Sequence, residues 1–266
     1  MTTTEFPPAI DFLGLSITPV DVNQTAEAVA GRDPALPLVY VVTPNAQHVV
    51  ALDQGDRNFA RVHAHAWLVT CDSQILRLLG KLLFGLNLPL AAGSDLTALL
   101  LRRYIRPDDA ITVIGGDEKL FAELRAQYGL TRIAHHEPPM GLVSNPAAIE
   151  AAARFIIANP ARYVFIACGC PQSEMVALRA IELGGAVGVA LCIGGSLHFA
   201  TGLIPRAPAW MRRLALESLH RLMLNPRRHA KRVFKQSLPV VWIAVKARLG
   251  LKSHAPAALP PAEGGR

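Results

Sequence analysis

Arg162-Tyr163-Val164-Phe165-Ile166-Ala167-Cys168-Gly169-Cys170-Pro171-Gln172-Ser173-Glu174 runs from an apolar stretch through a glycine turn into a helical pattern. Residues 162–168 are rich in aromatic and β-branched side chains and show no polar alternation, as expected of a strand covered on both faces. The helical pattern continues over 173–183, and Gly184 stands where a helix would stop. The same unit recurs outward from this stretch. Strand-like runs occupy 38–43, 66–71, 110–114 and 186–193, with 132–136 as a further candidate and 10–15 as a candidate start. Helical patterns fill 45–64, 74–85, 95–105, 118–128 and 147–158 between them. Ser94 or Asp95 is a suitable cap, Asn145-Pro146 makes a capped start, and Gly129 makes a stop. Strands alternating with helices predict an α/β fold with a Rossmann-like, mostly parallel sheet flanked by helices.

Hydrophobic residues make up 51% of the 266-residue chain and charged ones 18%, enough apolar matter for a sizeable core and too little charge for a disordered chain. The net charge of +7 is unevenly spread. Residues 203–252 hold twelve Lys or Arg against the single acid Glu217, a net +11, so the remainder carries about −4. We therefore divide the chain into a core at 1–202, a basic amphipathic appendage at 203–252 and an Ala/Pro/Gly-rich tail at 253–266, expected to be disordered. On a helical wheel of 210–224, Arg213, Glu217, His220 and Arg221 share one arc, with Met211, Leu219, Leu222 and Met223 opposite. The stretch 240–251 is apolar apart from Lys246 and Arg248, and too short to span a bilayer. So basic a block suits phosphate, nucleic acid or an anionic membrane surface. Interleaved Leu and Met and few aromatics argue against nucleic acid.

The charge-free stretch 183–205 is long enough to cross a membrane, but its six glycines and its Ser196, His198 and Thr201 fit a buried strand and loop better. The N-terminus lacks the basic start and apolar run of a secretory signal. Cys71, Cys168, Cys170 and Cys192 include no CxxC pair, so a reduced cytoplasmic protein is expected, with Cys71, Cys168 and Cys192 as small core residues. His63, His65, His135, His136, His220 and His229 show no ligand spacing and are expected at the surface.

Ligands of doubly wound sheets gather at the C-terminal ends of the strands. Polar residues occur there: Thr43-Pro44-Asn45, Cys71-Asp72-Ser73, Gly115-Gly116-Asp117, Gly169 to Glu174, and Gly194-Gly195-Ser196. Glycines let backbone N–H groups approach a phosphate, although each pair is equally readable as a tight turn before a helix. The early strands carry no GxGxxG, and no GxxxxGK[ST] is present, so neither a dinucleotide cofactor nor a P-loop is expected.

The order of these elements is more specific than any one of them. Thr43-x-Asn45, Asp72, Gly93-Ser94-Asp95-Leu96, Val113-Ile114-Gly115-Gly116 and Pro138-Pro139-x-Gly141 come first. Gly169-Cys170-Pro171-x-x-Glu174 and the run from Gly194 to Gly202 follow. Arg206-Ala207-Pro208-Ala209-Trp210, Leu216-Glu217, Arg221-Leu222 and Pro226-Arg227-Arg228 complete the series. Over roughly 10–235 this resembles the WecG/TagA/CpsF glycosyltransferases. The resemblance implies a metal-independent, inverting transferase without a cofactor. Its donor would be a UDP-sugar and its acceptor a polyprenyl-diphosphate-linked sugar at the inner face of the cytoplasmic membrane, in exopolysaccharide, capsule or teichoic-acid synthesis. Homo-oligomers are compatible with it.

By the same resemblance Asp72 is the candidate general base, its alternative being the N-cap of the helix from Gln74. Thr43 and Asn45 would hold sugar or acceptor, or cap helices. Gly115, Gly116, Gly194, Gly195, Pro171, Gln172 and Glu174 would meet the nucleotide, and Arg206, Arg213 and Arg221 would meet the diphosphate or lipid headgroups. Trp210 would anchor in the membrane interface or pack the appendage on the core. The chain departs from the family pattern at Ser73, Leu90, Gln172-Ser173, His198 and Ser218. The alternative reading is a catalytically weak, nucleotide-sugar-binding paralogue with a regulatory or assembly role.

Overall fold

A computed structural model describes residues 5–208, 210–211, 220, 222–223, 226, 234 and 238–251. Arg213, Glu217, Arg221, Arg227, Arg228, His229 and the tail 253–266 lie outside the described residues. The chain opens with a hairpin of β1 (Ile10–Phe12) and β2 (Leu15–Ile17), turning at Leu13 and Gly14, both at positive φ. The start expected at 10–15 is therefore two short antiparallel strands. Next comes α1 (Val22–Gly31), which the sequence reading passed over although Asp21 and Gln24 form a reciprocal capping box.

Six strands make the main sheet: β3 (Val39–Val42), β4 (Leu68–Val69), β5 (Ala110–Ile114), β6 (Arg132–His136), β7 (Tyr163–Ile166) and β8 (Val189–Cys192). Their order is β4-β3-β8-β7-β5-β6, and every pairing is parallel. Val42, Cys192, Ile166, Ile114 and His136 share one row of the register, so the loops after these strands emerge along one edge. The helices are α2 (Ala46–Asp53), α3 (Arg57–Ala64), α4 (Gln74–Phe84), α5 (Gly93–Leu99), α6 (Glu118–Tyr128), α7 (Pro146–Ala158), α8 (Gln172–Leu183), α9 (Ser196–Ala200) and α10 (Pro239–Arg248). The single helix expected over 45–64 is two, because Gly55 takes a left-handed φ of 77° and Asp56 caps a new start. The helix expected at 95–105 begins at Gly93 and ends in a π-helical turn, Leu100–Tyr104.

Alternation along β3 divides the core. Val41 packs with Leu96 and Leu100 of the α5 region, Leu197 of α9 and Phe121 of α6. Tyr40 and Val42 face the other way, onto Val62 of α3, Ala152 of α7 and Val176 and Ala180 of α8. A third cluster joins the hairpin, α2 and α4 to Val240 and Ile243 of α10. The apolar stretch near the C-terminus therefore packs on the core by one side and leaves Trp242, at 61% exposure, outward. Trp210 is also mostly exposed. Among the described residues no helix is long and apolar enough to cross a membrane.

Tyr40 is fully buried, and its hydroxyl donates to the carbonyl of Val62. That carbonyl lies in the last turn of α3, where no helical N–H can reach it. Tyr40→Phe is expected to cost about 1–3 kcal/mol, since a buried acceptor is left unsatisfied. Urea unfolding monitored by circular dichroism measures it.

Candidate active site

The chain enters the crevice through two adjacent strands whose following helices leave on opposite faces. β3 leads through α2 to α3 in the cluster with α8, whereas β8 leads to α9, which packs with α5. A reversal of this kind opens a crevice beyond the strand ends, where ligands of open α/β sheets bind. Thr43 and Asn45 stand on the β3 side, Gly194, Gly195 and Ser196 on the β8 side, and Asp72 on the loop after β4.

Asp72 is half-buried, and its Oδ1 accepts the N–H of Gly93 at 3.2 Å. The cap of α4 is Ser73, whose hydroxyl accepts the N–H of Leu76, so the capping role considered for Asp72 falls to its neighbour. Asp72 instead fixes the first residue of α5, a helix that starts without a side-chain cap of its own. Neither Ser94 nor Asp95 is that cap. Backbone bonds from Asp72 N–H to Pro44 O (3.1 Å) and Ala91 N–H to Cys71 O (2.9 Å) tie the loop to both neighbours.

Gly93 packs against the β3 and β8 loops. A methyl group there would lie 2.8 Å from Thr43 Oγ1 and 3.5 Å from Ser196 Oγ. Gly93→Ala is expected to rotate the Thr43 hydroxyl out of place, costing about 1 kcal/mol of stability and a larger share of activity. Comparing thermal melting with turnover separates the two effects. Two residues beyond Gly93, Asp95 Oδ1 pairs with Arg206 Nη1 at 2.7 Å. The ion pair draws the segment after α9 back to the same turn that Asp72 holds. Asp95→Asn and Arg206→Lys, singly and together, are expected to lower kcat/KM about tenfold each, with a double variant no worse than the weaker single.

Gly194 and Gly195 face open space: a methyl group on either would meet nothing within 4 Å. Gly115 and Gly116 differ. At φ of 87° and 89° they make a tight turn, where a methyl would lie 3.2 Å from the Ala167 carbonyl carbon and 2.6 Å from Leu120. They follow β5, separated from β8 by β7, so packing already accounts for both glycines. Pro171 and Gln172 are half-buried at the start of α8, nearer the crevice.

Below the β3 and β7 loops lies a cluster that the sequence reading missed. Asn45 caps α2, and His48 Nδ1 accepts the Asn45 N–H at 3.1 Å. A backbone N–H can only donate, so the neutral ring carries its proton on Nε2. Nε2 lies 2.9 Å from Cys170 Sγ and 3.7 Å from Glu174 Oε1. His48 and Glu174 are both 3% exposed, so Glu174 turns inward rather than toward a nucleotide at the crevice. Burial pushes its carboxyl up to about 7. The Asn45-x-x-His48 spacing of a capping box was the available signal.

His63 is not free at the surface as expected: its ring meets that of His48 edge-on at 5.3 Å, and burial, with His48 nearby, lowers it to about 4. His135 and His136 also bury Nε2 and pack on Phe121 and Phe155 rather than lying free at the surface. Cys71 and Cys192 are buried as expected, and burial raises Cys71 to about 11 and Cys168 to about 12.

An all-parallel sheet with a polar crevice at its switch point, bearing a carboxylate, hydroxyls and an open glycine turn, places the protein among doubly wound α/β proteins that hold ligands at strand ends. Within that class the chain belongs to the WecG/TagA/CpsF family of glycosyl transferases, whose family model matches residues 10–254. The match takes in the whole main sheet and α10.

Proposed function

We propose that the protein transfers a hexose, an N-acetylhexosamine or its uronic acid, with inversion, from a UDP-sugar to a polyprenyl-diphosphate-linked sugar. The work would be done as a peripheral protein at the inner face of the cytoplasmic membrane, in synthesis of an exopolysaccharide, capsule or teichoic-acid-type polymer. The observation that carries this reading is the meeting of Asp72, Gly93, Thr43 and the Ser196 turn at the switch-point crevice of a family glycosyltransferase.

In the proposed reaction an acceptor hydroxyl attacks the anomeric carbon from the side opposite UDP. The C–O bond to the sugar forms as the bond to the β-phosphate oxygen breaks. The hydroxyl proton passes to the Asp72 carboxylate. Gly93 N–H orients that carboxylate, and Thr43 and Asn45 hold the reacting sugars. Negative charge gathers on the departing diphosphate. The backbone of Gly194 and Gly195 has room beside it, and Arg206 supplies positive charge from the turn next to Asp72. Arg213 and Arg221 are proposed to join Arg206 there or to meet anionic headgroups, each worth about 1 kcal/mol at such a surface.

Release of UDP across a series of UDP-sugars, with a short-chain polyprenyl-diphosphate-sugar in a membrane mimic, tests the proposal. One donor is expected to give turnover dependent on acceptor. Folded protein that binds UDP yet turns over no donor and acceptor pair would point instead to a nucleotide-sugar-binding paralogue.

A further inference from the structure

Three unlike metal-ligating groups converge beneath the crevice, and nothing in the transfer reaction uses them. His48 Nε2, Cys170 Sγ and a Glu174 carboxylate oxygen all lie within 4.8 Å of one another. They come from three separate places: the third position of α2, the loop after β7 and the first turn of α8. Glu174 Oε2 is buried and has no hydrogen-bond partner among the described residues, and neither has the buried His63 Nε2 beside His48. A buried carboxylate oxygen without a partner is costly, and a cation is one of the few ligands that would remove the cost.

We propose that His48, Cys170 and Glu174 form a binding site for a zinc-class divalent cation, which braces α2 against α8 under the crevice. The donor set selects the metal. A thiolate with an imidazole favours Zn²⁺ or Co²⁺ over Mg²⁺ or Ca²⁺, which take oxygen ligands. Thiolate and carboxylate together carry two negative charges, which the cation neutralises. On binding, the thiol proton leaves to solvent and sulfur bonds to the metal. The fourth position is open to water or to Glu174 Oε2.

Small movements complete the geometry. Bonds of about 2.0 Å to nitrogen and about 2.3 Å to sulfur set these atoms roughly 3.5 Å apart around a tetrahedral ion. The 2.9 Å contact between His48 Nε2 and Cys170 Sγ therefore opens by roughly 0.6 Å as the metal replaces the proton between them. His48 Nδ1 must then carry the ring proton. That breaks the 3.1 Å bond from the Asn45 N–H, and the ring turns to donate instead to Asn45 Oδ1, 3.4 Å away. An amide oxygen that orients the ligating imidazole from behind is a common support of such sites. Cys170 is half-buried, which leaves the cluster a route from the crevice.

The test uses the full chain, stripped of metal with a chelator and titrated with Co²⁺ alone. One equivalent is expected to give the strong visible bands of a tetrahedral site and a near-ultraviolet sulfur-to-cobalt band, with Kd on the order of 1 μM or tighter. Zn²⁺ is expected to bleach both. Cys170→Ser should abolish the sulfur band, and Glu174→Gln should weaken binding about 100-fold while keeping it; Cys168→Ala should change neither. Circular dichroism of each variant establishes that it is folded, and Glu174→Gln carries the test if Cys170→Ser is not. A wild-type spectrum without the sulfur band, or a band that survives in Cys170→Ser, overturns the site. No sugar donor enters this measurement, so its failure leaves the transferase reading standing, and failure of UDP release leaves the metal site standing.

Discussion

Asp72→Asn is expected to lower kcat by a factor of about 10²–10⁴, the usual contribution of a positioned general base. UDP binding and thermal stability should stay near their original values. The structure explains why the substitution is so clean. An asparagine keeps the Oδ1 that accepts the Gly93 N–H, so α5 stays in place, and Ser73 continues to cap α4. What is lost is the capacity to take a proton. Asp72→Ala should behave differently, adding a stability loss of about 1 kcal/mol because Gly93 loses its acceptor. Single-turnover transfer with saturating donor, set beside calorimetric UDP affinity, distinguishes the effects. Retention of activity within a fewfold range in Asp72→Asn would move the base to another residue of the crevice.

Gly188→Ala is expected to be the most damaging small substitution in the core. Gly188 stands just before β8 at φ of 89°. An added methyl would fall 2.1 Å from the Ala161 carbonyl oxygen and 2.8 Å from that of Arg162. Both are backbone atoms of the approach to β7, so no rotamer change relieves the contact, and the left-handed φ adds its own strain. The Gly188 carbonyl also accepts from Val39 N–H and from Arg32, which ties the β8 start to β3 and α1. The expected loss is about 4 kcal/mol or more, a large part of what holds a domain folded. Gly195→Ala is the contrast. Nothing lies within 4 Å of that methyl and the φ is −79°, so stability should change by less than about 0.5 kcal/mol. Denaturant midpoints of the two variants decide the matter.

Much of the fold is written locally. The run at 110–114 forms a strand at those limits, because continuous apolar, β-branched residues suit a sheet covered on both faces; the more polar 132–136 also forms one, at the sheet's edge, where burial is only partial. Asn145-Pro146 starts α7 as its chemistry requires, and Gly129 ends α6 in a left-handed turn. The alternation of these units was enough to predict a parallel sheet and to put the polar residues at one edge. Where two signals overlapped, local reading failed. Residues 45–64 keep a helical pattern across Gly55, and only the left-handed turn there and the Asp56 cap divide them.

Asp72 was legible as a strand-end carboxylate because strand ends carry chemistry whatever the strand order. Whether it or Ser73 caps α4 was not legible, since both are good caps and only the backbone decides which of them faces Leu76. The sheet order β4-β3-β8-β7-β5-β6 is equally absent from the sequence, because parallel pairing joins strands far apart in the chain. That order sets Thr43 beside Ser196, Gly93 beside both, and His48 within reach of Cys170, 122 residues later. Residue type and local spacing thus determined which elements form and which side chains stand at their ends. Long-range packing alone decided which of those side chains meet, because contacts between distant segments are fixed by the closure of the whole sheet rather than by any single stretch of it.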